Sequence, residues 1–195
     1  MTHLTLVRHG QTDWNLARRI QGSTDIPLNE TGREDARWAA EKLAAGTHHA
    51  IYTSPLLRAR ETAEIIAHRL GLEVVGVVPD VREREFGDGE GMLVEDYIRA
   101  YGNWHAEVPG AESLQEVGER AIEALHRIAR EARRRSSPQA ESVIVVAHGG
   151  VIRAVIDHVS GGTLPREGEV LQNGSVHRFV AAPGYLRLLE ESPVL

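Results

Sequence analysis

The sequence predicts an α/β fold: a three-layer sandwich with a mostly parallel central sheet and helices on both faces. Three observations carry that expectation. Short apolar runs alternate with stretches whose apolar residues recur at helical spacing, the order that builds parallel sheets. Two of those runs, Leu4 to Val7 and Val143 to Ala147, break off into a histidine followed by glycine. The last two, Val176 to Val180 and Leu186 to Leu189, flank Pro183-Gly184 and read as an antiparallel hairpin.

Taken in order, Leu4 to Val7 is a buried strand ending at Arg8-His9-Gly10, where polarity jumps. A polar stretch with Gly22, Pro27 and Asn29 as turn formers leads to Thr31-Gly32-Arg33-Glu34, whose T-x-x-E spacing predicts a capped helix start. Ala36, Ala39, Ala40, Leu43 and Ala44 fall on that helix's buried face, and Gly46 ends it. Ala50 to Thr53 is a second strand. Ser54-Pro55 then turns into a helix with Ala63, Ile66, Ala67 and Leu70 inward and Gly71 at its end. Glu73 to Val78 is a third strand and a candidate sheet edge, open to pairing with a second copy in a homodimer.

Residues 80–111, rich in glycine, form a covering segment around one short helix near Val94 to Tyr101. Ser113-Leu114-Gln115-Glu116 predicts a second capping box. Leu114, Val117, Ala121, Leu125, Ile128 and Ala132 line one face of the long helix that follows, and Arg133 to Arg135 suit the negative end of its dipole. After a break at Ser136-Ser137-Pro138 come the most apolar strand, Val143 to Ala147, and a helix over Val151 to Val159. With no internal repeat or linker, residues 1–195 read as a single domain.

Composition narrows the chemistry. The 195 residues carry 22 Lys+Arg against 28 Asp+Glu, a net charge of −6, which speaks against a nucleic-acid partner because counterion release needs a basic face. No apolar run approaches the roughly 20 residues of a membrane span, and Met1-Thr2-His3-Leu4 enters a strand without a signal-like segment, so the expected compartment is the cytoplasm. Without cysteine, thiolate metal sites and Cys nucleophiles are excluded. Histidine, carboxylate, hydroxyl and arginine chemistry remain. His48-His49 lack a third ligand at a recognisable spacing and read as a surface turn, so no metal site is expected.

In an open α/β sheet ligands bind at the carboxyl ends of the strands, where His9 and His148 both fall. A helix starting near Gly149 would aim its positive end at the same crevice and favour an anion. Arg8 adjoins one histidine, and Arg58 follows the exit of the second strand; the planar guanidinium pairs bidentately with phosphate oxygens. Arg58 also has a plainer reading, a surface ion pair with Glu61 one helical turn on. Asn15 and Gln21 read equally well as turn formers or phosphate contacts. Arg82 to Glu85 could be an alternating-charge strand in solvent, with Glu83 and Glu85 on one face. Tyr101 and Trp104 read as core before pocket wall.

Arg8-His9-Gly10-Gln11-Thr12 resembles the RHG[EQ]T motif that opens the histidine phosphatase superfamily, the phosphoglycerate mutase-like proteins. Gln21-Gly22 through Asp25, Pro27-Leu28 and Gly32 is similar to that family's next stretch. Thr53-Ser54-Pro55-Leu56-Leu57-Arg58-Ala59, Arg82-Glu83-Arg84-Glu85-Phe86-Gly87 and Ala147-His148-Gly149-Gly150 resemble its remaining motifs in order, over residues 3–180.

The resemblance implies a phosphoglycerate mutase-like fold and a metal-independent phosphatase needing no cofactor. His9 would take the phosphoryl group; Arg8, Arg58 and His148 would bind its oxygens, with Asn15, Gln21 and Gly149 completing the phosphate pocket. Glu83, three residues before Phe86, is selected over Glu85 as the proton donor. Where the family often has tryptophan this chain has Gly89. The expected partner is a small phosphorylated metabolite. Competing readings are a cofactor-dependent phosphoglycerate mutase, a protein phosphatase and a non-catalytic phospholigand binder. Against the mutase, Gly91 to Ser113 offers only Arg99 as a strong cation to hold a substrate carboxylate.

Overall fold

A computed structural model describes residues 1–136, 141–166 and 168–191; the break expected at Ser137-Pro138 lies outside the described residues. The elements are β1 (Thr2–Arg8), α1 (Asp13–Leu16), α2 (Glu30–Leu43), β2 (Ala50–Thr53), α3 (Leu57–Leu70), β3 (Val74–Val77), α4 (Val94–Tyr101), α5 (Leu114–Ser136), β4 (Ser142–Ala147), α6 (Gly149–Ser160), β5 (Val176–Ala182) and β6 (Tyr185–Glu191). They build the α/β sandwich that the alternation of patterns predicts.

Six strands form one sheet in the order β3-β2-β4-β1-β5-β6. The pairs β3/β2, β2/β4 and β4/β1 are parallel, while β1/β5 and β5/β6 are antiparallel. Successive strand residues point to opposite faces, so each strand feeds two cores. Leu4, Leu6, Val143 and Val145 pack with α5 and α6, whereas Val7, Ile51, Ile144 and Val146 pack with α2 and α3. Ala39, Ala40, Ala59 and Ala63 are fully buried, and their small side chains let α2 and α3 lie close to the sheet and to each other. Larger residues such as Leu43, Ile66, Leu125 and Ile128 fill what remains, each contributing about 1.5–3 kcal/mol on burial. A third cluster, Ile20, Phe86, Tyr97 and Val108, ties the segment between β3 and α5 to the loop after α1.

Local structure departs from the sequence reading in three places. The α2 cap is Asn29, whose Oδ1 accepts from Gly32 N–H at 2.9 Å, so the helix starts at Glu30 and Thr31 lies inside its first turn. The polar stretch after β1 contains the one-turn helix α1, closed by a reciprocal Thr12/Asn15 capping box. Helix α6 begins at Gly149, directly at the strand end, where the sequence reading expects a helix start. Residues 83–85 are irregular, which places Glu83 and Arg84 inside and Glu85 in solvent rather than setting both glutamates on one face. The Ser113/Glu116 box forms as expected. β3 is a sheet edge, with Val75 and Val77 exposed. No helix among the described residues is long and apolar enough to cross a membrane.

Candidate active site

The register of β1 and β4 sets the centre of the site. Arg8 lies opposite Ala147, so the next residue of each strand, His9 and His148, leaves the sheet beside the other. The His9 N–H donates to the Ala147 carbonyl at 3.1 Å, and the two imidazole centroids are 5.1 Å apart. Both rings are buried. His9 Nδ1 sits 2.7 Å from the Gly10 carbonyl oxygen, which can only accept, so Nδ1 carries the hydrogen and Nε2 keeps its lone pair. Burial, reinforced by Arg58 and then Arg8, holds the His9 imidazole well below the usual histidine range, hence neutral. His148 is held low in the same way, by burial, Arg58 and His9. Its Nε2 meets Ser54 Oγ at 2.7 Å.

The turn after His9 requires a close backbone approach. A Cβ on Gly10 would collide with the Gly32 carbonyl, so both positions need glycine for α2 to dock there.

Arg58 is a buried residue of α3 and not a surface one. It is fully buried, and Nη1 and Nη2 donate to the carbonyls of Thr24 and Gly22 at 2.9 and 2.8 Å. Glu61 pairs instead with Arg33. Burial lowers the Arg58 guanidinium to about 10, still charged at neutral pH. Arg8 donates through Nη1 to the Leu171 carbonyl. Gln21 is oriented by Thr12, whose hydroxyl donates to Oε1 at 2.8 Å, which turns the Gln21 amide nitrogen away. The Asn15 oxygen accepts from Thr12 N–H and from Asn173 Nδ2, leaving its own amide hydrogens as the donor end. Four buried nitrogens here have no hydrogen-bond partner among the described residues: Arg8 Nε, Gln21 Nε2, Arg58 Nε and His148 Nδ1. Each such group costs about 1–3 kcal/mol when left unpaired, so their gathering around His9 fits an anion's oxygens.

Glu83 lies at the same centre. Its Oε2 accepts from Gly150 N–H at 3.1 Å, and its Oε1 accepts from Arg84 N–H at 2.8 Å. A Cβ on Gly150 would strike that carboxylate. Arg120 of α5, unread in the sequence, clamps the segment by donating to the carbonyls of Asp80, Arg82 and Glu83 at 2.8, 2.9 and 3.1 Å, and it pairs with Glu112.

Arg8, His9, Asn15, Gln21, Glu83 and Gly149 line one cleft of about 600 Å³, with Arg58 and His148 fully buried behind it. Trp104 serves both as wall and as core, stacking on Tyr97 at 5.2 Å, whereas Tyr101 belongs to the core cluster alone. Arg84, expected in solvent, is buried over Phe86 and donates to the carbonyls of Glu112 and Trp104. Gly89 is occupied in its own way: a Cβ there would run into the Tyr97 ring, which fills that space. The sequence reading missed Arg18, Arg19, Arg153 and the segment 168–173 as cleft residues. The only signal for them was the -Arg18-Arg19- pair in a polar loop and Asn173 ahead of a turn.

Residues 4–191 match the family model of the histidine phosphatase superfamily (branch 1). The chain is 41% identical over 162 residues to the uncharacterized phosphatase PhoE of Bacillus subtilis, covering 83% of this chain and 79% of that one. It is 39% identical over 166 residues to a metal-independent phosphoserine phosphatase of Arabidopsis thaliana, covering 80% and 67%. Other relatives carry phosphoglycerate mutase names. Among solved structures, YhfR of Bacillus stearothermophilus superposes with a TM-score of 0.84 at 30% identity, covering 100% of this chain and 98% of that one.

Proposed function

This chain belongs to the histidine phosphatase superfamily, and within it we propose a metal-independent phosphatase that hydrolyses a small phosphomonoester through a phosphohistidine on His9. The observation that supports this best is the state of His9: a buried, neutral imidazole with Nδ1–H given to Gly10 and the Nε2 lone pair left for the substrate. An imidazole in that state is a nucleophile without further activation.

Phosphoryl transfer demands mainly positioning and positive charge around the equatorial oxygens. Arg8, Arg58, Gln21, His148 and the amide of Asn15 supply those donors. His9 Nε2 bonds to phosphorus as the ester P–O bond breaks, and the Glu83 carboxyl gives its proton to the departing oxygen. Water then attacks the phosphohistidine, the P–N bond breaks, and the Glu83 carboxylate takes the water's proton. Gly150 and Arg84 N–H groups fix that carboxyl in place for both steps. The phosphate would thus be bound at the end of β1 and the start of α6, where the helix dipole also favours it.

Hydrolysis is favoured over mutase chemistry by the covering segment. Its Arg99 is spent on Asp96 at 2.7 Å and does not line the cleft, and the Arg84 guanidinium is held by main-chain carbonyls. The test is inorganic phosphate release from aryl phosphate, 3-phosphoglycerate and sugar phosphates in the presence of chelator. The parent releases phosphate, and His9→Ala lowers the rate by roughly 10³-fold or more. Undiminished release by His9→Ala, or phosphoryl exchange from 2,3-bisphosphoglycerate without net release, overturns the proposal.

A further inference from the structure

The cleft extends well beyond the phosphate-sized space around His9, and its charge is uneven with depth. His9 and Gln21 at its floor are buried, whereas Arg18 and Arg19 on its wall are exposed and so form the mouth. Among the described residues the lining holds five arginines, Arg8, Arg18, Arg19, Arg84 and Arg153, against Glu83 and Glu169, in a chain of net charge −6. A single phosphomonoester would engage Arg8 at the floor and leave Arg18 and Arg19, at the mouth, without an anion.

Arg18 stands out among them. It is the one described non-glycine residue in the left-handed region, with φ of 53°, a conformation that costs a side-chain-bearing residue free energy and must be held by its surroundings. The hold is visible: Arg18 N–H donates to the Asn15 carbonyl at 3.0 Å, and its own carbonyl accepts from Val94 N–H at 2.8 Å at the start of α4. The strained turn therefore sits between Asn15, at the floor, and the covering helix. Its guanidinium has no ion pair or side-chain hydrogen bond among the described residues, whereas neighbouring Arg19 is tied to the Gly91 carbonyl at 2.8 Å.

Resting on the phosphatase reading above, we propose that Arg18 forms a second anion subsite at the cleft mouth, so that the preferred substrate is a phosphomonoester whose leaving group carries a carboxylate or a second phosphate. Ile20, Phe86, Val94 and Trp104 line the same cleft and would offer apolar surface to the carbon skeleton that joins the two anions. The cation that reads the substituent comes from the loop after α1 and not from the covering segment.

A matched pair of esters tests this, 4-carboxyphenyl phosphate against its neutral isostere 4-carbamoylphenyl phosphate. The parent should favour the carboxylate by about tenfold in kcat/KM, with the preference shrinking as salt rises. Arg18→Asn keeps a residue that tolerates the left-handed turn and should erase the preference while leaving the carbamoyl ester's rate within twofold; Arg18→Lys should retain most of it. Equal rates for both esters in the parent, or a preference unchanged in Arg18→Asn, overturns the subsite. Turnover of neither ester by the parent instead overturns the phosphatase reading beneath it.

Discussion

The floor and the mouth of the cleft are built by different means. At the floor, His9 and His148 extend two hydrogen-bonded parallel strands, and Arg58 leaves the first turn of a buried helix to grip two carbonyls. Position there follows from sheet register, which cannot drift without breaking the ladder. The mouth is assembled from Arg18 and Arg19 in the loop after α1, from Phe86, helix α4 and the segment at 168–173. Its parts meet through loop contacts such as Arg18 with Val94, Ile20 with Met92 and Arg8 with Leu171. On the phosphatase reading, a regular scaffold would fix what is done to the phosphate, and loops would decide which ester arrives.

The largest effect that tests this division is Arg58→Lys. Lysine keeps a charge but cannot span the Gly22 and Thr24 carbonyls, nor present a planar fork to phosphate. Activity toward every ester should fall by roughly 10²-fold, with little change in the ranking of esters. Unfolding in urea should show a loss of about 2 kcal/mol, because the Gly22 and Thr24 carbonyls lose their donors. A loss confined to some esters would mean that the floor also reads the leaving group, and the division would fail.

The same contrast explains what could be read from the sequence. Both histidines, Arg8 and Arg58 were legible because an apolar strand that stops abruptly at a polar residue marks its own end, and strand ends converge in α/β sheets. Glu83 could not be separated from Glu85 by periodicity, since residues 83–85 are not extended in a strand and the clamp that turns them comes from Arg120, far along the chain. Arg84 was misjudged for the same reason: its burial depends on carbonyls of Glu112 and Trp104 that no local pattern announces. The cap of α2 went to Asn29 because two capping residues lie two apart, and the helix takes the one whose side chain reaches Gly32 N–H. Arg18, Arg153 and residues 168–173 were not legible as cleft residues because the meeting of loops, and of α6 with residues 168–173, is fixed by tertiary contacts.

A middle-sized effect separates the floor's histidines from the sheet beneath. His177 on β5 is also buried and neutral; burial, partly offset by Glu169, lowers it to about 4. In the unfolded chain it titrates near 6.5, so between those values the unfolded state binds the extra proton and stability falls as pH falls. At pH 5 this single residue accounts for about 2 kcal/mol lost relative to pH 7.5. His177→Gln cannot take up that proton, so the drop in unfolding free energy between pH 7.5 and 5.0 should shrink by about that amount. An unchanged drop would assign the acid sensitivity to the other imidazoles that burial holds low, His9, His148, His48 and His126, and not to His177.

The smallest effect belongs to the mouth. Trp104 is half-buried, stacked on Tyr97 and edge-on to Phe86, and it presents the rest of its surface to the cleft. Trp104→Leu preserves apolar contact but removes the broad wall, so KM for aryl esters should rise by about three- to fivefold, since a lost apolar contact of this size is worth about 1 kcal/mol. Because the residue touches neither His9 nor Glu83, kcat should stay within about twofold, the pattern of lost uniform binding. Small esters such as phosphoglycolate, too short to reach the wall, should be indifferent to the change. A fall in kcat with KM unchanged would instead mean that the cover transmits its packing to Glu83 through Arg84, making mouth and floor one mechanical unit.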